Sequence, residues 1–391
     1  MLKSLKSYSL DIQLVLITTL LSNVGIFMVI PFLAIYLNDI DKISTVDVGI
    51  IIGIAFWCQR AGSLLGGILS DFFHVKKTML LGLLIRIPGY MMVGYVTNFY
   101  LLVVACSLIG LGSSIYLPAA KSFLVNRTDD NKKVEILSIR VILSNVGVAL
   151  GPVIGLAVFD ISPIWLFTSV GLVFASLLFL NLRLSDIERK KEESNPIFSD
   201  FNKLLKNKKM VITSILMFIF IALYMQIEVT IPMFSNDVFG KRFISAVFII
   251  NALIVILFQM PISKWACKES NTFAMPLGFL FFSASFLLLF VFESSYLALF
   301  SSVIIFSVAE IIFQIRLDYD ATNIDKRMIA TTFGLMSLAG AFGGLFGSFI
   351  GTLLYSTPIF GLGIWAILTI ATVILTVISF FSLRNIEVVY A

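Results

Sequence analysis

Twelve long apolar runs follow one another along the chain, separated by short polar breaks. They cover residues 14–37, 46–68, 78–97, 100–121, 136–159, 163–183, 211–234, 243–261, 273–292, 296–316, 329–355 and 360–382. A helix rises about 1.5 Å per residue, so about 20 apolar residues cross the roughly 30 Å hydrocarbon core of a bilayer. A membrane barrel would instead need strands of alternating polarity, and the sequence has no such pattern. The predicted class is an all-α integral membrane protein with twelve transmembrane helices. Charge supports it: 13% of the 391 residues are charged against 59% hydrophobic, a balance foreign to soluble domains. The first run is long enough to span and has no small-residue cleavage site after it, so no cleaved leader is expected.

The polar breaks are not alike. Those at residues 1–13, 69–77, 122–135, 184–210, 262–272, 317–328 and 383–391, with the adjoining helix ends, hold 22 of the 28 Lys and Arg residues. The opposite set holds only Lys42, Lys241 and Arg242. Lys and Arg accumulate in cytoplasmic loops, which predicts that both termini and the central loop face the cytoplasm. The net charge of +5 is explained by this topology, and no nucleic-acid partner is expected. Cys58, Cys106 and Cys267 show no pairing pattern, and a single histidine, His74, cannot build a metal site. No metal and no cofactor are predicted.

The stretch from Arg183 to Lys209 is the one sizeable soluble segment. It combines a charged run (Glu188 to Glu193), Pro196 and an amphipathic piece from Phe198 to Leu205, and reads as a linker carrying a surface-lying helix. The halves on either side look like repeats. Gly147, Gly151 and Gly155 are spaced by four in span 5, and adding 196 to each reaches Gly343, Gly347 and Gly351 in span 11. The expected organisation is an N-terminal six-helix bundle at 1–183, a linker at 184–210 and a C-terminal six-helix bundle at 211–391.

Several motifs carry a family resemblance. The break Gly66-Gly67-Ile68-Leu69-Ser70-Asp71-Phe72-Phe73-His74-Val75-Lys76-Lys77 resembles the loop between helices 2 and 3 of the major facilitator superfamily, with Gly67, Leu69, Asp71 and Lys76 at matching positions. Phe72, His74 and Val75 depart from that pattern. Span 5 runs Gly147-x-x-x-Gly151-Pro152-x-x-Gly155, which resembles the antiporter signature of the superfamily's twelve-helix drug:proton exporters. Ile231 to Val238 is similar to the MdtH-like branch of those exporters, and the acids of spans 7 and 10 to LmrP-like ones. The superfamily's helix 4 pattern survives in Gly110 and Gly112, but its arginine is missing. The resemblance implies two pseudo-symmetric six-helix bundles with a substrate site between them near mid-membrane. It also implies gating roles for Gly67, Asp71, Lys76, Gly147, Gly151, Pro152 and Gly155, with the glycine face of span 5 packed against the other half.

Charged residues inside the apolar runs cost about 2.5–3.5 kcal/mol each at the bilayer centre on insertion scales, so each needs a reason. They are Arg60, Arg86 and Arg140 in the first half, and Glu228 and Glu310 in the second. A carboxylate in low dielectric is the residue type a proton carrier needs, and the resemblance gives Glu228 and Glu310 that role. Each could equally form a permanent interhelical salt bridge. Arg86 and Arg140 could tie helices together or touch substrate. Arg60 favours an anionic substrate if it faces a cavity, and says nothing about substrate if it pairs with an acid. Asn23, Asn145, Gln226, Gln314 and Tyr224 are further candidates for substrate contact, with Trp57, Tyr90 and Tyr116 as aromatic neighbours. Asp318 and Asp320, next to Arg316, read as a solvated gate cluster.

The expected protein is a proton-driven multidrug exporter of small organic molecules, working by alternating access as a monomer in contact with membrane lipid. Its energy source would be the proton gradient, and its location a bacterial cytoplasmic (inner) membrane. The alternative is a dedicated exporter of an endogenous anionic metabolite such as a carboxylate siderophore, resting on the three arginines. A non-transporting scaffold predicts that Glu228→Gln and Glu310→Gln change nothing. An enzyme is not expected, because no run brings a nucleophile, a base and an orienting partner together.

Overall fold

A computed structural model of the chain describes residues 8–38, 40, 43–185, 197–240, 242–356 and 363–390. The charged run Glu188 to Glu193, Pro196, Lys3, Lys6, Lys42 and Lys241 lie outside the described residues. Among the described residues, twelve helices are long and apolar enough to cross a membrane. In chain order they are α1 (Leu10–Asn38), α2 (Thr45–Phe72), α3 (Val75–Tyr95), α4 (Phe99–Asn126), α5 (Lys133–Phe159) and α6 (Pro163–Leu182). After a short helix, Ile197–Lys206, come α7 (Lys208–Phe239), α8 (Arg242–Lys268) and α9 (Asn271–Val291). The last three are α10 (Tyr296–Ala321), α11 (Ile329–Ser356) and α12 (Ile364–Tyr390). Among the described residues there is no β-strand. Val153, Phe179, Leu297 and Phe349 are exposed, as expected of a surface solvated by lipid.

The breaks are shorter than the sequence predicts. Helix α2 runs through Asp71 to Phe72, which leaves only Phe73 and His74 between α2 and α3. Asp71 therefore stands on the last turn of a helix, because its carboxylate finds donors in the protein and needs no loop to reach water. At the other end of α2, the hydroxyl of Ser44 accepts from the Asp47 amide while the Asp47 carboxylate accepts from the Ser44 amide, a reciprocal cap. Helix α8 continues past Pro261 to Lys268, where an end was expected at the proline. Proline removes one backbone donor, and tertiary packing carries the helix through that loss.

Helix α7 is not uniform. Residues Gln226–Thr230 form a π turn between α-helical parts Lys208–Met225 and Ile231–Phe239. Pro232 stands at the start of the second part, where a missing amide costs least.

The structure divides into two compact units. The first comprises Met1–Ile212 with Ala321–Leu338, and the second Thr213–Asp320 with Ala339–Ala391. The beginning of α11 thus belongs with α1–α6. Inside the first unit α4 packs against both α2 and α3, α5 packs on α1, and α6 packs chiefly on α3 and also on α1.

The two glycine series do the same thing in different units. A Cβ at Gly147 would stand 2.6 Å from Asn23 Cβ, and one at Gly151 2.6 Å from Phe27 Cβ; at Gly155 it would run into the Met28 backbone. The face of α5 is therefore filled by α1, within its own unit. That corrects the expectation that it packs against the other half: three glycines in line already admit the α1 backbone, which occupies the groove they make. In the second unit Gly343, Gly347 and Gly351 admit Phe218, Ala222 and Gln226 of α7 in the same manner.

Candidate functional site

The two membrane acids lie in the second unit and are held differently. Glu310, on α10, is 6% exposed. Its Oε2 accepts a hydrogen bond of 2.7 Å from Asn251 Nδ2 on α8, and the same amide donates to Ser307 Oγ at 3.0 Å. Ser307 in turn donates to the Val303 carbonyl, so this small network is directional. Glu228 sits inside the π turn of α7 and is accessible, with Tyr224 donating to its Oε1 at 2.9 Å. Among the described residues neither carboxylate forms an ion pair; both are bonded by neutral donors.

Gln226, an expected substrate contact, is 2% exposed and fully engaged. It donates to the carbonyls of Ala222 and Gly347 at 3.0 and 3.1 Å and accepts from Thr230 at 2.8 Å. Its polarity joins α7 to α11 where Gly351 allows the approach. Gln314 is half-buried one turn beyond Glu310 on α10. Asn23 and Asn145 donate back to carbonyls of their own helices, Thr19 at 2.8 Å and Val141 at 3.1 Å.

Asp71 forms the most specific polar contact of the first unit. It is 5% exposed, and its two oxygens accept from the backbone amides of Ala330, at 3.1 Å, and Thr331. These amides open α11 and have no partner within their own helix, so the carboxylate caps them and meets the positive end of the helix dipole. Neighbouring residues allow the approach: a Cβ at Gly67 would stand 2.5 Å from the Ala330 carbonyl oxygen. Ser63 reaches the Gly334 carbonyl at 3.3 Å, and Lys121 lies over the Phe333 ring at 4.8 Å. Lys76 is half-buried in the first turn of α3.

The expected solvated cluster of Asp318 and Asp320 holds only in part: Asp318 is buried and Asp320 half-buried. Asp318 is 2% exposed, and Asp320 pairs with Arg316 at 3.4 Å. Arg316 also donates to the carbonyls of Ala266, Cys267 and Glu269, the last at 2.9 Å, where α8 ends. A cation that satisfies the orphan carbonyls of a helix C-terminus is fixed in place, and it holds its half-buried acid beside it.

Of the three membrane arginines, Arg60 is half-buried on α2 and Arg140 is buried on α5. Arg86, on α3, is 1% exposed and sealed in the first unit between the rings of Tyr116 and Phe174. The first unit also contains an apolar cavity of about 80 Å³, lined by Ile26, Val29, Ile30 and Leu33 of α1, and by Ile52, Ala55, Phe56 and Gln59 of α2. Tyr90 of α3 and Cys106, Ile109, Gly110 and Ser113 of α4 complete it. Tyr90 is therefore a lining residue, whereas Tyr116 is buried beside Arg86 and Trp57 is exposed.

The sequence model of the Major Facilitator Superfamily matches residues 15–348. The chain belongs to this superfamily. An uncharacterized MFS-type transporter of Mycobacterium tuberculosis is 25% identical over 274 residues, 68% of this chain and 64% of that protein. The multidrug resistance protein MdtH of Escherichia coli is 23% identical over 335 residues, 85% of this chain and 83% of its own length. MdtH of Salmonella typhi matches at 23% over 255 residues, 65% of this chain, and the chain spans 63% of that relative. The crystal structure of the human organic anion transporter MFSD10 (TETRAN) superposes with a TM-score of 0.70 at 16% identity, covering 95% of this chain and 98% of that one. That likeness shows the fold.

The twelve helices that are long and apolar enough to cross a membrane, among the described residues, agree with membership of the major facilitator superfamily. The residues that sequence reasoning missed are Asn251 and Ser307, which hold Glu310. Asn251 interrupts Ile249-Ile250-Asn251-Ala252-Leu253, the same signal of an amide in an apolar run that singled out Asn23 and Asn145.

Proposed function

We propose that this protein is a proton-coupled exporter of lipophilic small organic molecules that works by alternating access. The observation that carries the reading is that both membrane carboxylates, Glu228 and Glu310, are bonded only by neutral donors among the described residues. An acid locked in a salt bridge must lose its partner before it can take a proton. One held by a tyrosine hydroxyl or an amide keeps its place in either protonation state. Glu228 is the accessible member and Glu310 the buried one, which suits a proton that enters at one and is held at the other. The apolar cavity beside Tyr90 and Gln59 offers a surface for an aromatic or aliphatic group. Asp71 on the α11 amides supplies a contact that a transport cycle must make and break. MdtH, the multidrug resistance relative, agrees with this substrate class.

The proton gradient is the energy source in this reading, and no cofactor takes part. The protein acts as a monomer in a bacterial cytoplasmic membrane, with both termini in the cytoplasm. A second reading, export of an anionic metabolite, is favoured by one observation: Arg60 directly follows Gln59, a residue of the cavity wall. The human protein MFSD10, similar in fold, is an organic anion transporter.

The deciding experiment is substrate-induced proton release from the purified transporter, with Glu228→Gln and Glu310→Gln alongside the parent. Release with a cationic dye, abolished in either variant, is the expected outcome. Release with a tricarboxylate alone selects the second reading. Equal release from parent and both variants sinks the assignment of these acids.

A further inference from the structure

The cavity of the first unit is a product of glycine placement. On α4, a Cβ at Gly110 would run into the Ala55 carbonyl oxygen and stand 3.0 Å from the Gln59 backbone nitrogen, so α2 lies directly against α4. A Cβ at Gly62 would likewise meet Ser114, which shows that the two helices run side by side in the same direction. Helix α1 is drawn the other way, because the glycines of α5 admit its Asn23, Phe27 and Met28, and it touches α2 and α4 little. The wedge left open is the cavity of about 80 Å³. Each of the three helices gives it four side chains at i, i+3, i+4 and i+7: from Ile26 to Leu33, from Ile52 to Gln59 and from Cys106 to Ser113. Ile30 and Phe56 in its wall are 45% and 52% exposed, so it opens between α1 and α2.

No charged residue lines this cavity, but three polar side chains do that have no use in the fold. Tyr90 and Ser113 are each 2% exposed, and among the described residues neither hydroxyl forms a hydrogen bond. The Gln59 amide forms none either. The Tyr90 ring is held by Phe174, stacked on it at 5.1 Å and 8°. Because α2 and α4 run in parallel, Gln59 and Ser113 share one end of the cavity, with Ile52 and Cys106 at the other. A buried hydroxyl without a partner costs stability, and here the open space is where a partner fits. All three groups can donate. An ion placed among them would lose its water with no opposite charge to face, whereas an uncharged carbonyl would find donors. The volume suits an acyl group and part of a ring, not a whole drug-sized molecule.

We propose that this cavity recognises the uncharged, carbonyl-bearing end of the transported molecule, with Gln59, Ser113 and Tyr90 as the residues that set specificity. The inference rests on the reading of the protein as a transporter of lipophilic molecules and names the chemistry read in its first unit. Any charge on the substrate lies outside the cavity.

The test uses the full-length transporter in nanodiscs and four probes built on one ring: acetophenone, toluene, benzoate and phenyltrimethylammonium. A ligand that binds only the folded state raises the unfolding temperature in a saturable way. Acetophenone should half-saturate several-fold below toluene, and neither ion should give a saturable rise. Ser113→Ala and Gln59→Leu should each bring acetophenone towards toluene while leaving the toluene response as it was, and Ser113→Thr should restore the difference. A merely structural role would move the unfolding temperature alike with every probe and keep the preference for acetophenone, which overturns the assignment. So does a parent protein that binds benzoate or the cation as well as acetophenone, a result that needs no variant to fold. Proton release plays no part in this readout. A lost carbonyl preference with proton release intact fails this inference alone, and acetophenone binding without proton release fails only the coupling.

Discussion

The Asn251 amide on α8 donates to Glu310 on α10 at 2.7 Å, which makes a neutral side chain the immediate partner of the more deeply buried of Glu228 and Glu310. Asn251→Leu removes that donor and leaves a buried acceptor unsatisfied, which costs about 1–3 kcal/mol. Glu310→Gln retains an oxygen for the amide and should unfold within about 1 kcal/mol of the parent, while losing substrate-induced proton release. Thermal unfolding and proton release measured on both variants separate holding the acid from using it.

Asp71 makes a prediction that can be read at two backbone positions. With Asp71→Ala the amides of Ala330 and Thr331 lose the carboxylate acceptor they have at the start of α11. A loss of about 1.4 kcal/mol is tenfold in local opening, so hydrogen exchange at these two amides should speed by about that factor or more. Exchange in the middle of α4 should not change. Unaltered exchange at Ala330 and Thr331 would refute the cap.

The glycine series predicts a contrast between positions. Gly347→Val places side-chain atoms on the Ala222 backbone, and overpacking of this kind costs about 1–3 kcal/mol. Gly53→Ala, with nothing within 4 Å, should be neutral or stabilise by up to about 1 kcal/mol through helix propensity alone. Unfolding temperatures of the two variants in one detergent compare them directly.

Arg316 holds the end of α8 through three carbonyls and pairs with Asp320. Arg316→Met leaves these acceptors and the acid without their cation, a loss of roughly 3 kcal/mol for a largely buried site. Arg316→Lys keeps the charge but not the fork that reaches several oxygens at once, and should fall between the two. Chemical denaturation of the three proteins ranks them.

Tyr224→Phe tests the other acid. Glu228 is accessible, so losing the tyrosine donor should change stability by less than about 1 kcal/mol. If Glu228 carries the proton, the same variant slows transport several-fold because the carboxylate loses its orientation. Transport assays in vesicles, set beside unfolding data, distinguish the two effects.

The number and place of the helices were legible because about 20 apolar residues have few alternatives to crossing a bilayer. Glu228 and Glu310 were legible for the converse reason, since an acid within such a run demands explanation. What holds them was not. Asn251 and Ser307 come from neighbouring turns of α8 and α10, and no spacing along the chain brings residues 251 and 310 together. Asp318 was misread because Asp318, Asp320 and Arg316 look solvated as a string of charges, whereas Asp318 and Arg316 are buried and Asp320 half-buried. The carbonyl acceptors that hold Arg316 belong to the end of α8. Arg86 was visible as a charge, yet only packing shows it shut between two rings.

The π turn at Gln226–Thr230 has a mechanical consequence. It holds one residue more per turn than the helix around it, so the two parts of α7 are out of phase, as two halves of a screw would be with a flaw in the thread. Such a flaw behaves as a dislocation does in a crystal: it can move by one residue through exchange of neighbouring hydrogen bonds, with no stretch of helix unwound. Each step turns the intervening residue about the axis by about 100°. Glu228 lies inside the flaw, so a displacement of one position is enough to point its carboxylate at a different neighbour.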